Sequence, residues 1–233
     1  MKTFGKRSLV LALFVSLAMG VFAQAPTDRN YIKQTIENWG TCRNVAITRT
    51  LGDIAIANTN DYVANYVPNK MLDKLKELNE GEHYIDDITL TEGGKWVILY
   101  DTNDAAWSAG IPEGLRQAIL QFHENEYYVR SISFNDDGDW AIVAKEDVKC
   151  STAALRKWAK DYMDSYGELW TITVGEDGNI FAVYSGGYAK KGEDIPEDLI
   201  EALGNTDKDY YRVKWAGGSW FFATEEGEYE YSM

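Results

Sequence analysis

Large apolar side chains stand two residues after a glycine at five evenly spaced places. They are Ile54 after Gly52, Trp96 after Gly94, Trp140 after Gly138, Ile180 after Gly178 and Trp220 after Gly218. The glycines are 42, 44, 40 and 40 residues apart, a period that marks a tandem-repeat architecture. Ahead of each glycine lie paired apolar positions: Val45 and Ile47, Ile88 and Leu90, Ile132 and Phe134, Ile172 and Val174, Val213 and Trp215. Polar residues such as Thr89, Ser133 and Thr173 fall between them. This period of two predicts a strand with one apolar face and one solvated face. Glycine-containing turns follow, at Gly93-Gly94, Asp137-Gly138, Asp177-Gly178 and Gly217-Gly218, and reverse the chain into a hairpin. The returning strand is apolar on both faces, as in Trp96–Tyr100, Trp140–Val143 and Trp220–Phe222. Such a strand is covered on both sides or offers one side to a ligand.

A helical period takes over after each hairpin. Leu72, Leu75 and Leu78 recur at helical spacing, as do Leu115, Ile119 and Phe122, and Leu155, Trp158, Ala159 and Tyr162. Pro68, Pro112 and Pro196 sit at first helical turns, where a missing N–H costs nothing. A shorter last helix carries Leu199, Ala202 and Leu203, and a first helix over 28–39 places Ile32, Ile36 and Trp39 on one face. The fold class is therefore α+β, with about five helix–β-hairpin repeats of about 42 residues. A lone hairpin cannot bury its apolar face, so the units stack into one layered domain, solenoid-like or ring-like. The approximate units are 24–58, 59–100, 101–145, 146–184 and 185–233. The segments 62–66 and 105–109 are candidates for a third strand.

The first 23 residues read as an export signal. Lys2, Lys6 and Arg7 are followed by the apolar run from Leu9 to Ala18, and Val21 and Ala23 occupy the positions read at cleavage. The apolar run is too short to span a bilayer comfortably, so a single repeat domain over 24–233, periplasmic or extracellular, is expected, with no membrane insertion once the signal is removed. Its loss removes three basic and no acidic residues, taking the net charge from −14 to −17. That charge repels phosphate backbones, and nucleic-acid binding is excluded on this ground.

The segment Gly93-Gly94-Lys95-Trp96-Val97-Ile98-Leu99-Tyr100, with Asn103, Trp107, Gly110-Ile111-Pro112 and Leu115 after it, resembles a recurrent bacterial repeat module. In that module a "GGWVILYG" hairpin leads to "N-aromatic", then "GIP" and an amphipathic helix, in tandem in exported or multidomain proteins. The match is best over 85–128. The stretch 169–210 keeps Tyr188 and Ile195-Pro196 but lacks the Trp after the turn. The stretch 129–168 replaces Ile-Pro with Cys150-Ser151-Thr152, in which Ser151 or Thr152 is a helix cap. The resemblance implies the repeat architecture and no catalytic residue.

Few residues suggest chemistry. Cys42 and Cys150 are a candidate disulfide for an exported chain; a loop of over 100 residues would be stabilised by ~4–5 kcal/mol in the chain-entropy picture. Asn135-Asp136-Asp137-Gly138-Asp139 has the look of a calcium loop, but Asp-Gly is also what a hairpin turn demands, and the turn is preferred. Glu92, Asp104 and Glu113 fall in one loop region, and His83 and His123 have no ligand motif, so neither a metal nor a cofactor is expected. Tyr62, Trp107 and Tyr188, ahead of successive helices, are the candidate binding residues, weighed against a role in sealing one repeat to the next. The expected function is non-enzymatic: a surface for a protein or glycan partner. The alternative is an exported hydrolase or enzyme inhibitor with its site on inter-repeat loops.

Overall fold

A computed structural model describes residues 29–50 and 52–233; the export signal expected over 1–23 lies outside them. Each unit is a helix followed by a three-stranded antiparallel meander. The first comprises α1 (Asn30–Trp39), β1 (Asn44–Ile47), β2 (Asp53–Ala57) and β3 (Asp61–Asn65). The second comprises α2 (Asn69–Glu80), β4 (Ile85–Leu90), β5 (Trp96–Tyr100) and β6 (Asp104–Trp107). The third has α3 (Glu113–Glu124), β7 (Val129–Phe134), β8 (Trp140–Ala144) and β9 (Val148–Cys150). The fourth has α4 (Ala153–Asp161), the one-turn α5 (Met163–Tyr166), β10 (Leu169–Val174), β11 (Ile180–Tyr184) and β12 (Gly187–Lys191). The fifth has α6 (Glu197–Asn205), β13 (Tyr210–Ala216), β14 (Ser219–Thr224) and β15 (Tyr229–Ser232). The hairpin is thus completed by a third strand, which moves the sheet boundaries past residues 58, 100, 145 and 184.

The units close into a ring. Each first strand packs on the next, β1 on β4, β4 on β7, β7 on β10, β10 on β13, and β13 returns to β1. The sheets stand around a central axis as propeller blades do, with a helix wedged between neighbours. Five apolar cores, one per junction, hold them together. The two-sided middle strands explain how. On β5, Trp96 and Ile98 enter one core while Val97 and Leu99 enter the next. On β14, Trp220 and Phe222 join the fourth unit while Phe221 and Ala223 join the first. Both faces are covered, so the repeated tryptophans serve packing.

At closure, α1 fills the wedge between the last and first sheets. Tyr229 Oη donates to Ile36 O at 3.1 Å, and Cys42 N donates to Gly227 O at 2.9 Å. Arg29 spans the seam: Nη1 donates to Ser219 Oγ at 2.7 Å, and Nε pairs with Asp53 Oδ1 at 2.9 Å.

The repeating glycines do not all do one job. Gly94, Gly138 and Gly178 take φ of 77°, 94° and 72° in the turns, where a side chain is disfavoured. Gly52 instead lies against β3: a Cβ there would fall 2.3 Å from Asn65 O. Pro68, Pro112 and Pro196 each precede the first helical residue, and Thr152 caps α4 by accepting from Leu155 N at 3.1 Å.

Candidate functional site

Every first strand is a sheet edge, and an open edge leaves backbone groups unpaired. Here the edges face the axis and are satisfied from the neighbouring unit. Thr89 Oγ1 donates to Ile132 O at 2.7 Å, and Asp87 Oδ2 accepts from Ile132 N at 2.9 Å. Ser131 and Ser133 accept from Ile172 N and Val174 N at 3.2 and 2.9 Å. Thr171 and Thr173 donate to Tyr211 O and Val213 O at 2.7 and 2.6 Å. The alternating polar residues, expected to face water, are therefore mostly buried, Ser131 to 1% and Ser133 to 2% exposure. An unmade bond at such a site costs ~1–3 kcal/mol, which is why each is paired; the solvated-face expectation fails because ring closure packs the first strands on one another.

The axis is also charged. Asp87, fully buried, receives Asn44 Nδ2 at 2.7 Å and Lys214 Nζ at 3.2 Å on Oδ1. Burial opposes its ionisation, but Arg212, Lys214 and the hydrogen bonds hold its carboxyl below the usual range. Burial pushes the Lys214 ammonium pKa down. Arg212 Nη2 donates to Asp86 O at 2.6 Å and Arg130 O at 3.0 Å. Its Nη1 has no hydrogen-bond partner among the described residues and stands 3.6 Å from Asp87 Oδ1.

One mouth of this axis gathers the side chains at the starts of the first strands. In four units a β-bulge lies at the same place, making Asp86, Arg130, Trp170 and Tyr211 the extra residues. Arg43 holds that place in the first unit, its N–H donating to Ile56 O at 2.8 Å. A bulge re-aims its side chain: Arg43, Asp86, Arg130 and Tyr211 line the mouth together with Tyr84 and Tyr128, which precede β4 and β7, while Trp170 packs against the core between the fourth and fifth units. The two tyrosines are 39% and 42% exposed. The Arg43 guanidinium lies 4.2 Å from the Tyr84 ring centroid, and the Trp170 and Tyr211 rings are 5.8 Å apart. Burial raises the Asp86 carboxyl to about 6, against the pull of Thr102 N–H, Arg212 and Arg43. Beneath the rim is a cavity of about 30 Å³ lined by Arg43, Tyr84, Asp86, Tyr128, Arg130 and Arg212, among others. The opposite mouth encloses about 70 Å³ over Lys214, Thr89 and Ser133.

Tyr62, Trp107 and Tyr188 are not at either mouth. They lie on the third strands β3, β6 and β12, half-buried against the helix-filled junctions. Tyr62 and Tyr188 hold equivalent register positions, whereas Trp107 stands two residues further, level with Cys150.

The thiols are unbridged. Cys42 belongs to the core between the fifth and first units and Cys150 packs against that between the third and fourth. The two thiols thus stand at different junctions of the ring. Burial pushes both thiols up to about 12, leaving them poor nucleophiles.

The acidic turn at 135–139 laces units together. Asp136 accepts from Gly93 N at 2.5 Å and Thr91 Oγ1 at 3.0 Å, and pairs with Lys95 at 3.1 Å. Glu92 does the same one unit earlier, accepting from Thr50 N at 3.0 Å. Glu92, Asp104 and Glu113 do not converge: Asp104 pairs with His123 at 3.2 Å and Glu113 with Arg116 at 2.6 Å. No cluster suited to a metal ion occurs among the described residues.

The mouth residues were missed because one sequence stretch does not reveal bulges. Aligning the repeats does give a signal: Arg43, Asp86, Arg130, Trp170 and Tyr211 fall in one column of large, polar or aromatic residues. Comparison with protein-family models, curated proteins and solved structures finds no match.

Proposed function

We propose that this protein is an exported, non-enzymatic glycan-binding ring that engages its ligand at the mouth lined by Tyr84, Tyr128 and Tyr211. The observation carrying this reading is the pair Tyr84 and Tyr128, exposed at equivalent positions of adjacent units. A ring that keeps one face apolar and one edge wet suits the alternating apolar and hydroxyl surfaces of a sugar. Arg43, Arg130 and Asp86 beside them supply directional hydrogen-bonding groups. Tyr31 and Tyr66 are more exposed, at 53% and 55%, but line neither cavity, whereas Tyr84 and Tyr128 both line the one at this mouth.

Two features weigh against the hydrolase alternative. The cavities, about 70 and 30 Å³, are far below the ~300 Å³ typical of sites that enclose a small molecule. Glu92, Asp104 and Glu113 each have a separate partner. The export signal and the resemblance to an exported repeat module support a location outside the cytoplasm, where glycans are abundant.

The test is binding of the mature chain to a glycan array, followed by calorimetry on the hits with Tyr84→Ala and Tyr128→Ala. Loss of binding with an unchanged melting temperature is expected. An array without hits, or hits indifferent to both substitutions, overturns the reading.

A further inference from the structure

Two of the three tyrosines lining the mouth already carry a cation on a ring face. The Arg43 guanidinium lies 4.2 Å from the Tyr84 centroid, and that of Arg212 lies 5.1 Å from the Tyr211 centroid. Both fall within the ~6 Å over which a ring attracts a cation. Tyr128 has no such partner among the described residues, although it is 42% exposed against 39% for Tyr84 and less for Tyr211.

The charges lining the cavity leave one carboxylate over. Arg130 pairs with Glu168 at 2.9 Å, and Arg212 stands 3.6 Å from Asp87. Arg43, buried, donates to Asn58 O, Thr59 O and Ile85 O, and its charge is answered by Asp86. Lys214, the second cation on Asp87, lines the opposite mouth. Glu225 lines this cavity too, and its exposed carboxylate has no ion pair among the described residues. It lies beside Tyr128: after burial and Asp86, its charge is what raises the Tyr128 phenol. An aromatic face without a cation and a carboxylate without a cation thus share one rim.

We infer that this mouth selects a glycan bearing a free amino group, a hexosamine residue whose ammonium lies against the Tyr128 ring and the Glu225 carboxylate. The choice of a sugar rests on the glycan reading above; the amino group rests on Tyr128 and Glu225. The cavity of about 30 Å³ is too small to enclose a pyranose ring, so the sugar stays at the rim, where both side chains are exposed. An ammonium there meets an aromatic face and a carboxylate at once, each a modest contact at a wet site. The long-range field acts in the same sense, because the chain carries a net charge of −14 and draws cations toward it. A neutral hexose keeps the stacking and loses both contacts to the charge.

Calorimetric titration of the mature chain with glucosamine, glucose and methylamine separates the amino preference from the glycan reading. It is run at about pH 7, below the usual range of an amino group. Glucosamine is expected to bind roughly threefold or more tightly than glucose, and roughly tenfold more tightly than methylamine, which lacks the ring. Added salt should weaken glucosamine and leave glucose unchanged. Glu225→Gln, at an exposed position, should bring glucosamine down to the affinity of glucose, while Tyr128→Ala should weaken both sugars. Glucose binding as tightly as glucosamine overturns the amino preference and leaves the glycan reading standing. A preference for glucosamine that survives Glu225→Gln overturns the placement of the ammonium. Methylamine binding as tightly as glucosamine overturns the sugar, and the glycan reading with it. Absence of binding by all three overturns the site.

Discussion

Lys214 Nζ lies 3.2 Å from Asp87 Oδ1 across the axis, although 127 residues separate them in the chain. The contact exists only because five units close into a ring. Asp87 is the buried anion shared by Arg212 and Lys214, so its loss strands two cations. Asp87→Leu should cost at least 3–5 kcal/mol, the range for breaking a buried pair from one side. Lys214→Met removes the surplus cation instead, leaving Asp87 with Arg212, Asn44 Nδ2 and Ile132 N. It should be within about 1 kcal/mol of neutral, or stabilising. Urea denaturation of both variants checks this; equal losses would show that the pair, and not the imbalance, dominates.

Asp86 gives the ring a pH dependence of defined sign. Its folded carboxyl is raised from 3.8 to about 6 by burial, so the folded state holds a proton that the unfolded state has released. Stability from this group is therefore greatest below about pH 4 and is lost as the pH rises through 6. At neutral pH the cost is at most about 3 kcal/mol, from the size of the shift. Asp86→Asn should raise the melting temperature at pH 7 and flatten its dependence between pH 4 and 6. Thermal melts of wild type and variant across that range decide it: parallel curves would assign the slope to another group.

A second buried pair sits beside the ring closure and orients Arg29, whose Nη1 crosses to Ser219. Arg29 and Asp53, with side chains 10% and 9% exposed, meet at 2.9 Å on the seam between the last and first units. Arg29→Leu leaves Asp53 buried without its partner, and burial already raises that carboxyl. The expected loss is about 3–5 kcal/mol. Asp53→Leu in the same chain should recover most of it, because the unpaired charge is gone. A double-mutant cycle by chemical denaturation measures the coupling; additive losses would mean that the seam is held by its apolar core alone.

The repeat was legible because its glycine period, apolar alternation and helical spacing are local. The third strands were only faintly legible: β6 reads Asp-Ala-Ala-Trp and is half-buried throughout, without the strong alternation of a core strand. The closed ring was not legible at all. It arises from contacts such as Tyr229 Oη to Ile36 O, between residues at opposite ends of the chain. The polar positions of the first strands misled for a related reason. Ser131 and Thr171 alternate with apolar neighbours as a solvated face does, and only closure turns that face into a buried axis. The mouth was hidden by the bulges, which shift Asp86, Arg130, Trp170 and Tyr211 by one place without any mark in the local pattern.

Trp107 and Tyr128 separate packing from recognition. Trp107, on β6, packs against the core between the second and third units, alongside Ile119 and Phe122 of α3. Complete loss of a buried Trp costs about 3–5 kcal/mol; as Trp107 is half-buried, Trp107→Ala should cost roughly 2–3 kcal/mol by the same scale. Glycan affinity should be unchanged at temperatures where the variant is folded. Tyr128, 42% exposed at the mouth, belongs to none of the five junction cores. Tyr128→Ala should change stability by under about 1 kcal/mol, while glycan binding drops at least tenfold, about 1.4 kcal/mol. Denaturation and calorimetry on the same two preparations give both readouts. The opposite pattern, with Trp107→Ala stable but unable to bind, would move the site from the axial mouth to the outer strands and restore Tyr62 and Tyr188 as its next members.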